Sequence, residues 1–174
     1  TKNDYKASKV RGKKGTELHH IAAFVRQCSV AEMVRWFYDL YEHISSANAV
    51  CDYFIEANFL QDIILDEFTR EGNLRGYQMP IRADRRKKPD KFQRIEAISP
   101  LWERGFVYYN IDLRTDPDMN AGLEQTLAFE KGMSGHDDAP DADEGAIYIL
   151  QQRTRKEAFP FSFGRRTTTS KHQW

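Results

Sequence analysis

Apolar residues recur along this chain with two spacings, one typical of helices and one typical of strands. From Val30 to Ile44 they fall three or four positions apart, which places them on one face of an α-helix. Ser29 precedes this segment and Glu32 lies three positions later, the spacing of a capping box at a helix start. The pattern predicts an amphipathic helix over residues 30–44.

The rest of the chain alternates between short extended segments and longer helical ones. Residues 5–11 and 18–25 flank a glycine-containing turn, which predicts a β-hairpin. Further strands are predicted at residues 50–56, 77–81 and 106–110, and further helices at residues 58–72, 92–102, 117–131 and 139–152, with a break at Pro100. This order predicts an α/β fold with a mixed central sheet and helices on both faces.

Length and composition fit one domain without a membrane span. The chain has 174 residues, 40% of them hydrophobic, which is enough for a single core. We expect one domain over residues 1–155 and a flexible tail over residues 156–174. The chain has two cysteines, too few for a disulfide framework, and neither a signal peptide nor a long apolar run. These features predict a reduced, cytosolic setting.

Basic residues are concentrated in one segment, although the formal net charge of the chain is zero. The segment contains Arg82, Arg85, Arg86, Lys87, Lys88, Lys91 and Arg94. Such a concentration favours contact with a phosphate backbone. Charged runs are also common in solvated surface loops, so both interpretations stay open.

Glu56 is the first candidate for chemistry. It ends a strongly apolar segment that reads as a buried strand, and a helix is predicted directly after it. Ligands of sheet-and-helix folds bind beyond the carboxyl ends of strands, which is where this carboxylate is expected. The alternative is a strand-end glutamate that faces solvent or pairs with a nearby arginine.

A second group of acids lies at the start of the last predicted helix. Asp138 and Asp141 are three positions apart, so both can face one side of the first turn. Asp137, Asp143 and Glu144 lie beside them, and clustered carboxylates repel one another unless a cation neutralises them. The cluster favours an Mg²⁺ site, and capping of the helix by acidic residues is the alternative.

Several common active-site signatures are absent from the sequence. It has no Gly-x-x-x-x-Gly-Lys-Ser/Thr loop, so these 174 residues contain no P-loop for ATP hydrolysis. They also contain no Gly-x-Ser-x-Gly motif and no cysteine–histidine nucleophile pattern. The candidate chemistry therefore rests on carboxylates.

Five segments, taken in order, carry a resemblance to a known family. They are residues 3–7 (NDYKA), 24–30 (FVRQCSV), 54–58 (FIEAN), 91–95 (KFQRI) and 135–142 (GHDDAPDA). Together they resemble the nuclease domain of large terminase subunits, the DNA-packaging motors of tailed bacteriophages. The resemblance implies a ribonuclease H-like fold, related to Holliday-junction resolvases. It also implies cleavage of concatemeric double-stranded viral DNA by a carboxylate-bound pair of Mg²⁺ or Mn²⁺ ions.

The resemblance assigns roles to individual residues. Glu56 matches the second acid of the family's site, and Asp138 matches the acid at the start of the last helix. Asp141 matches an extra acid of the resolvase-like pattern. The remaining candidates near the metal are Asp137, His136 and Asp4. The basic segment is expected to hold the phosphate backbone of the DNA.

The first acid of the family lies on its first, central strand, just before the loop that residues 3–5 resemble. We therefore expect this strand and its aspartate to precede Thr1, and the first strand to be missing from residues 1–174. The family context implies an upstream ATPase domain, a small terminase subunit and a portal protein as partners, in the cytoplasm of a bacterial host. Two alternatives are a non-catalytic DNA-binding or docking fragment of the motor and a resolvase-like nuclease of the same fold.

Overall fold

The computed structural model describes residues 5–57, 62–132 and 135–157 of the chain. Its strands are β1 (Tyr5–Lys14), β2 (Glu17–Gln27), β3 (Tyr53–Glu56), β4 (Ile81–Asp84) and β5 (Val107–Tyr109). Its helices are α1 (Val30–Ser46), α2 (Asp62–Arg75), α3 (Lys91–Glu96), α4 (Ser99–Glu103), α5 (Pro117–Leu127) and α6 (Asp138–Glu157). Asp4 and residues 158–174 of the predicted tail lie outside the described residues.

β1 and β2 form the predicted hairpin. They pair antiparallel from Tyr5 opposite Gln27 to Lys14 opposite Glu17, which leaves a two-residue turn. Gly15 in this turn has a φ of 59°, and short hairpin turns need such a left-handed residue. β5 joins the other edge of β2 in parallel, so these three strands form a mixed sheet in the order β1-β2-β5.

β3 and β4 form a second, separate sheet. They pair in parallel, and the register places Glu56 beside Asp84. We expected one central sheet, but the described strands are divided between two. The division leaves one edge of β1 and one edge of β3 without a strand partner among the described residues.

α1 packs against both sheets and organises the largest core. Its buried Phe37 and Tyr38 lie against Phe68 of α2, with ring centroids 5.7 and 6.2 Å apart. The same cluster contains Phe24 of β2 and Ile55 of β3. One helix therefore supports the two sheets from the same side.

α5 and α6 cover the opposite face. Val25 of β2 packs with Met119 of α5 and Ala139 of α6, whereas the neighbouring Phe24 packs in the α1 core. Adjacent residues of a strand point to opposite faces, so the two groups of helices lie on opposite sides of the strands. The predicted α/β class with helices on both faces is confirmed.

Two predicted helix signals are confirmed in atomic detail. The backbone N–H of Glu32 donates a hydrogen bond to the Ser29 hydroxyl at 3.2 Å, which caps the start of α1. Pro100 lies in the first turn of α4, separated from α3. Proline suits this position because the first turn has no intrahelical partner for its missing N–H.

Several predicted boundaries were wrong, among them the end of α2 and the start of β4. α2 continues through Gly72 and ends at Arg75, and Gly76 with a φ of 81° follows it, as is common after a helix. The strand predicted at residues 77–81 is instead β4, which begins at Ile81 because it pairs there with Tyr53 of β3. None of the helices in the described ranges combines the length and apolar character needed to cross a bilayer.

Candidate functional site

A cavity of about 600 Å³ lies between β1 and β3, and acidic residues gather at one end of it. Glu56 ends β3, Asp84 ends β4, and Asp138 and Asp141 lie in the first turn of α6. All four residues line the cavity, and together they are called the acidic rim below. The structure thus brings Glu56, Asp138 and Asp141, the three predicted catalytic residues, to one cavity.

The neighbouring candidates lie beside this rim. The ring of His136 is exposed and lies 4.4 Å, centroid to centroid, from the ring of Tyr5 at the start of β1. Asp137 accepts a hydrogen bond from Lys91 Nζ at 2.7 Å. β1 therefore begins at the same end of the cavity where β3 ends.

Cations from the basic segment contact the acidic rim directly. Lys88 pairs with Glu56, and Arg94 Nη1 lies 2.9 Å from Asp141 Oδ1. Lys91 Nζ lies 3.6 Å from Asp141 Oδ2. Burial among these charges lowers the pKa of Lys88, with Asp141 opposing the shift. Most of the negative charge of the rim is therefore compensated from within the chain.

Asp138 differs from the other rim acids because it forms no ion pair within the described ranges. Its side chain is half-buried. Desolvation raises the pKa of this carboxyl, the neighbouring Asp137 charge raises it further, and Lys91 opposes the shift. Asp138 is thus the rim acid whose charged form is least well stabilised.

A second set of ion pairs lies deeper and anchors the basic segment to α6. Arg86 Nη1 and Nη2 donate to the two carboxylate oxygens of Glu144 at 2.8 and 2.7 Å, a bidentate pair. Arg86 Nε also donates to Asp84 at 3.0 Å, and Arg94 contacts Glu144 from the other side. Arg94 and Glu144 are buried, so this contact is part of the core.

A third ion pair ties α6 to β1. Arg11 Nε and Nη2 donate to Asp143 Oδ1 at 3.1 and 2.7 Å, and all of these side chains are almost fully buried. Lys9 Nζ lies 3.9 Å from Asp143 Oδ2, and burial lowers the pKa of this lysine. α6 is thus held to the strands through charged groups as well as apolar ones.

The basic segment is therefore mostly engaged inside the molecule. Arg82 pairs with Asp52 at 3.2 Å, in addition to the contacts of Arg86, Lys88, Lys91 and Arg94 described above. Arg85 and Lys87 are exposed and form no ion pair in the described part of the chain. Of the seven predicted DNA-contacting residues, these two are the ones fully available to a phosphate backbone.

The acidic rim does not by itself fit a two-metal site. Among the described residues, no three histidine, cysteine or carboxylate side chains come close enough to hold a metal ion together. Glu56, Asp137 and Asp141 contact lysine or arginine instead. Asp4, the remaining predicted carboxylate, lies outside the described residues. At least one further ligand would have to join the rim to complete such a site.

Asp84 is the rim residue that the sequence analysis missed. It lies within the basic segment, and the sequence analysis assigned it no role. The structure places it at the end of β4, level with Glu56 in the neighbouring strand. Two parallel strands that each end in an acidic residue would have been the signal, but the strand predicted at residues 77–81 ended before Asp84.

Comparisons with known proteins add no family to this geometry. No protein-family model matches the chain, and no curated protein matches its sequence. The functional conclusion therefore depends on the arrangement of the residues themselves.

Replacing Asp143 with alanine tests the buried pair. Asp143→Ala leaves the Arg11 guanidinium and the Lys9 amine buried without their counter-charge, so we expect the free energy of unfolding to fall by about 3–5 kcal/mol. Urea denaturation followed by circular dichroism measures the loss. The control is Glu67→Ala, which removes a partly exposed pair with Arg70 and should cost below about 1 kcal/mol. Equal losses in the two variants would contradict the assignment.

Asp138 is expected to reduce stability at neutral pH. Its pKa is raised in the folded protein, so the folded state favours the protonated acid, and stability falls as pH rises from the unfolded pKa through the folded one. Asp138→Asn removes this penalty and should raise the free energy of unfolding at neutral pH. The gain should vanish below the ordinary aspartate pKa of about 3.9.

The measurement is urea denaturation of wild type and variant at both pH values, with the exposed Asp112→Asn as the control. A variant less stable than wild type at neutral pH would show instead that the favourable contact between Asp138 and the amino end of α6 dominates.

Proposed function

We propose that this chain is the nuclease domain of a bacteriophage DNA-packaging motor and hydrolyses phosphodiester bonds of concatemeric double-stranded DNA. The observation that carries the proposal is the convergence at the acidic rim. Glu56 comes from the end of β3, and Asp138 and Asp141 come from the first turn of α6, yet all three line one end of one cavity. Clustered carboxylates in a cleft are typical of sites for hydrolytic chemistry.

The charge balance of the rim supports a catalytic interpretation over a purely structural one. Structural carboxylates are normally neutralised by partners, as Glu144 and Asp143 are. Asp138 is half-buried without an ionic partner among the described residues, and its pKa is raised. Of the acids at the rim, Asp138 is therefore the one whose carboxylate would be stabilised most by a bound cation or by a proton taken up from water.

Mg²⁺ or Mn²⁺ is the proposed cofactor, with two ions as the proposed number. Glu56 and Asp138 are its proposed ligands, and Asp137 or Asp141 would assist. Because the described acids do not complete such a site, the proposal requires a further carboxylate from outside the described residues. The metal ions, together with the lysines and arginines that contact the acidic rim, would then neutralise its carboxylates.

The proposed DNA contacts are few and insensitive to sequence. Arg85 and Lys87 are exposed on the segment between β4 and α3, next to the rim residue Asp84. Phosphate contacts position a duplex without reading its bases, so little sequence preference is expected. In a packaging motor, the proposed partners are an upstream ATPase domain, a small terminase subunit and a portal protein in the cytoplasm of a bacterial host.

One observation favours a second candidate, a non-catalytic DNA-binding or docking fragment of the same motor. Three acids at or beside the rim are already neutralised by lysine or arginine, as expected if the cluster only stabilises the fold. Such a fragment would keep the exposed Arg85 and Lys87 but would not cleave DNA. Both candidates predict DNA binding, and cleavage separates them.

Cleavage is tested by incubating the chain with supercoiled plasmid while Mg²⁺ or Mn²⁺ is titrated. Glu56→Gln and Asp138→Asn keep the side-chain shape but remove a negative charge. We expect each to slow nicking by at least the roughly 10–100-fold that even an outer-shell change costs a metal site. The exposed Asp112→Asn should cleave like wild type. Cleavage that survives both rim substitutions would refute the assignment, and DNA binding without any cleavage by wild type would favour the docking fragment.

DNA binding is tested by the salt dependence of affinity for a random-sequence duplex. Replacing Arg85 and Lys87 with alanine should weaken binding and reduce the slope of log K against log salt by about 0.9 for each lost phosphate contact. Fluorescence anisotropy measures both quantities. Lys131→Ala, an exposed lysine far from the segment in sequence, should leave the slope unchanged. Equal slopes in the double variant and the control would rule out the proposed contact.

A further inference from the structure

Two lysines of the basic segment contact carboxylates at or beside the acidic rim. Lys88 pairs with Glu56 at the end of β3. The amine of Lys91 bridges two other carboxylates, with its Nζ 2.7 Å from Asp137 Oδ1 and 3.6 Å from Asp141 Oδ2. Glu56 and Asp141 line the cavity, so each lysine contacts one acid of the rim itself. The two ammonium groups therefore lie against oxygens that an added cation would need.

The two lysines differ from the arginine that contacts the same rim. The side chains of Lys88 and Lys91 are 21% and 39% exposed, whereas that of Arg94 is 8% exposed. Arg94 also contacts the buried Glu144, so its charge belongs to the core. Ion pairs that are partly open to solvent stabilise a fold only weakly. The lysines can therefore leave the rim with little loss of stability, whereas Arg94 cannot.

The backbone that carries the two lysines is held at both ends. Arg86 donates to both carboxylate oxygens of Glu144 at 2.8 and 2.7 Å, and Arg94 contacts the same carboxylate. Between these anchors, Asp90 caps the start of α3, because its Oδ1 accepts a hydrogen bond from the backbone N–H of Gln93 at 3.0 Å. The lysines can therefore change partners by side-chain rotation, without movement of the segment.

A lysine and a divalent cation cannot use the same carboxylate oxygen together. An ammonium group in contact with a carboxylate covers one side of its oxygen and repels a second cation. Mg²⁺ binds carboxylate oxygens directly, at about 2.0–2.1 Å, so it needs the side that the ammonium group covers. The contacts of Glu56 and Asp141 thus disagree with an ion bound to the rim as it stands.

We propose that Lys88 and Lys91 close the acidic rim to divalent cations, as an autoinhibitory pair of counter-ions that must leave their carboxylates before an ion can bind. The inference rests on the proposed metal-dependent function, whose regulation it describes. The lysines compete at a fixed effective concentration because they belong to the same chain, whereas a divalent cation competes in proportion to its own concentration. The rim therefore opens only above a threshold concentration of the ion.

The first experiment measures the affinity of the full chain for Mn²⁺ by isothermal titration calorimetry, without DNA. Lys88→Met and Lys91→Met each remove one competing charge and keep a side chain of similar size. We expect each to tighten Mn²⁺ binding by about tenfold or more, as a neighbouring cation changes the proton affinity of a carboxylate. Affinities equal to that of wild type, or binding by none of these chains, would overturn the proposal.

The matched control for this titration is Lys14→Met, which removes the same charge from an exposed position at the other end of β1. Nine residues of strand separate Lys14 from Tyr5, about 30 Å at the usual rise, and Tyr5 lies beside His136 near the rim. Charges so far apart are screened, because the Debye length is about 10 Å at 0.1 M salt. The affinity of Lys14→Met should match that of wild type, and an equal gain in all three variants would overturn the proposal.

The second experiment follows the lysines themselves. Wild type is treated briefly with acetic anhydride, with and without Mn²⁺, and acetylation is located by tandem mass spectrometry. Bound Mn²⁺ should raise the acetylation of Lys88 and Lys91 several-fold, while the exposed Lys87 should react equally in both samples. Without metal, Glu56→Gln should raise the acetylation of Lys88 but not that of Lys91. Acetylation of Lys88 that responds to neither change would overturn the proposal.

The closed rim and the proposed nuclease activity can fail separately. Tighter Mn²⁺ binding by the two lysine variants, with no plasmid cleavage by any chain, would support the closed rim and refute the nuclease. Plasmid cleavage by wild type, with the same Mn²⁺ affinity in the lysine variants and unchanged acetylation, would support the nuclease and overturn the closed rim.

Discussion

The buried ion pairs of α6 are the constraint on which the rest of the structure depends. Asp143 and Glu144 are adjacent, and successive helix residues point about 100° apart, so the two acids face different neighbours. Asp143 binds Arg11 of β1, and Glu144 binds Arg86 and Arg94 of the basic segment. One helix turn thereby fixes the hairpin sheet on one side and the basic segment on the other. The first turn of α6, which carries Asp138 and Asp141, is held in place by these anchors.

The same pairs explain why the basic segment does not behave as a free surface. A charge that leaves water needs a partner or it destabilises the fold. Arg86 and Arg94 have such a partner because both pair with Glu144 of α6. Lys88 pairs with Glu56 of the acidic rim, and Lys91 donates a hydrogen bond to Asp137. Arg85 and Lys87 are exposed and form no ion pair among the described residues, and Arg82 is exposed but pairs with Asp52. Any role of this segment in DNA binding is therefore limited to its outer face.

Local patterns predicted the elements better than they predicted the contacts between them. The apolar spacing of α1, its Ser29 cap and the break at Pro100 are local signals, and the structure confirms them. The start of β4 could not be read in this way, because pairing with Tyr53 of β3 sets it. Asp84 was missed for the same reason. The convergence of Glu56 with Asp138 was expected from the family resemblance, because the residue patterns alone gave each acid a separate interpretation. The charge spacing along the chain could not reveal which cation neutralises which acid.

The division of the strands into two sheets connects these observations. Glu56 and Asp84 lie on one sheet, whereas Tyr5, beside His136, lies on the other. Between them, α1 and α6 hold the sheets at a distance that leaves the cavity open. The relative position of the rim acids therefore depends on helix packing and long ionic side chains, which fix distances less tightly than a backbone ladder. Catalysis by the acidic rim would require its carboxylate oxygens to be placed to within about 0.5 Å. The precision of their relative positions is limited by how rigidly the two sheets are held together.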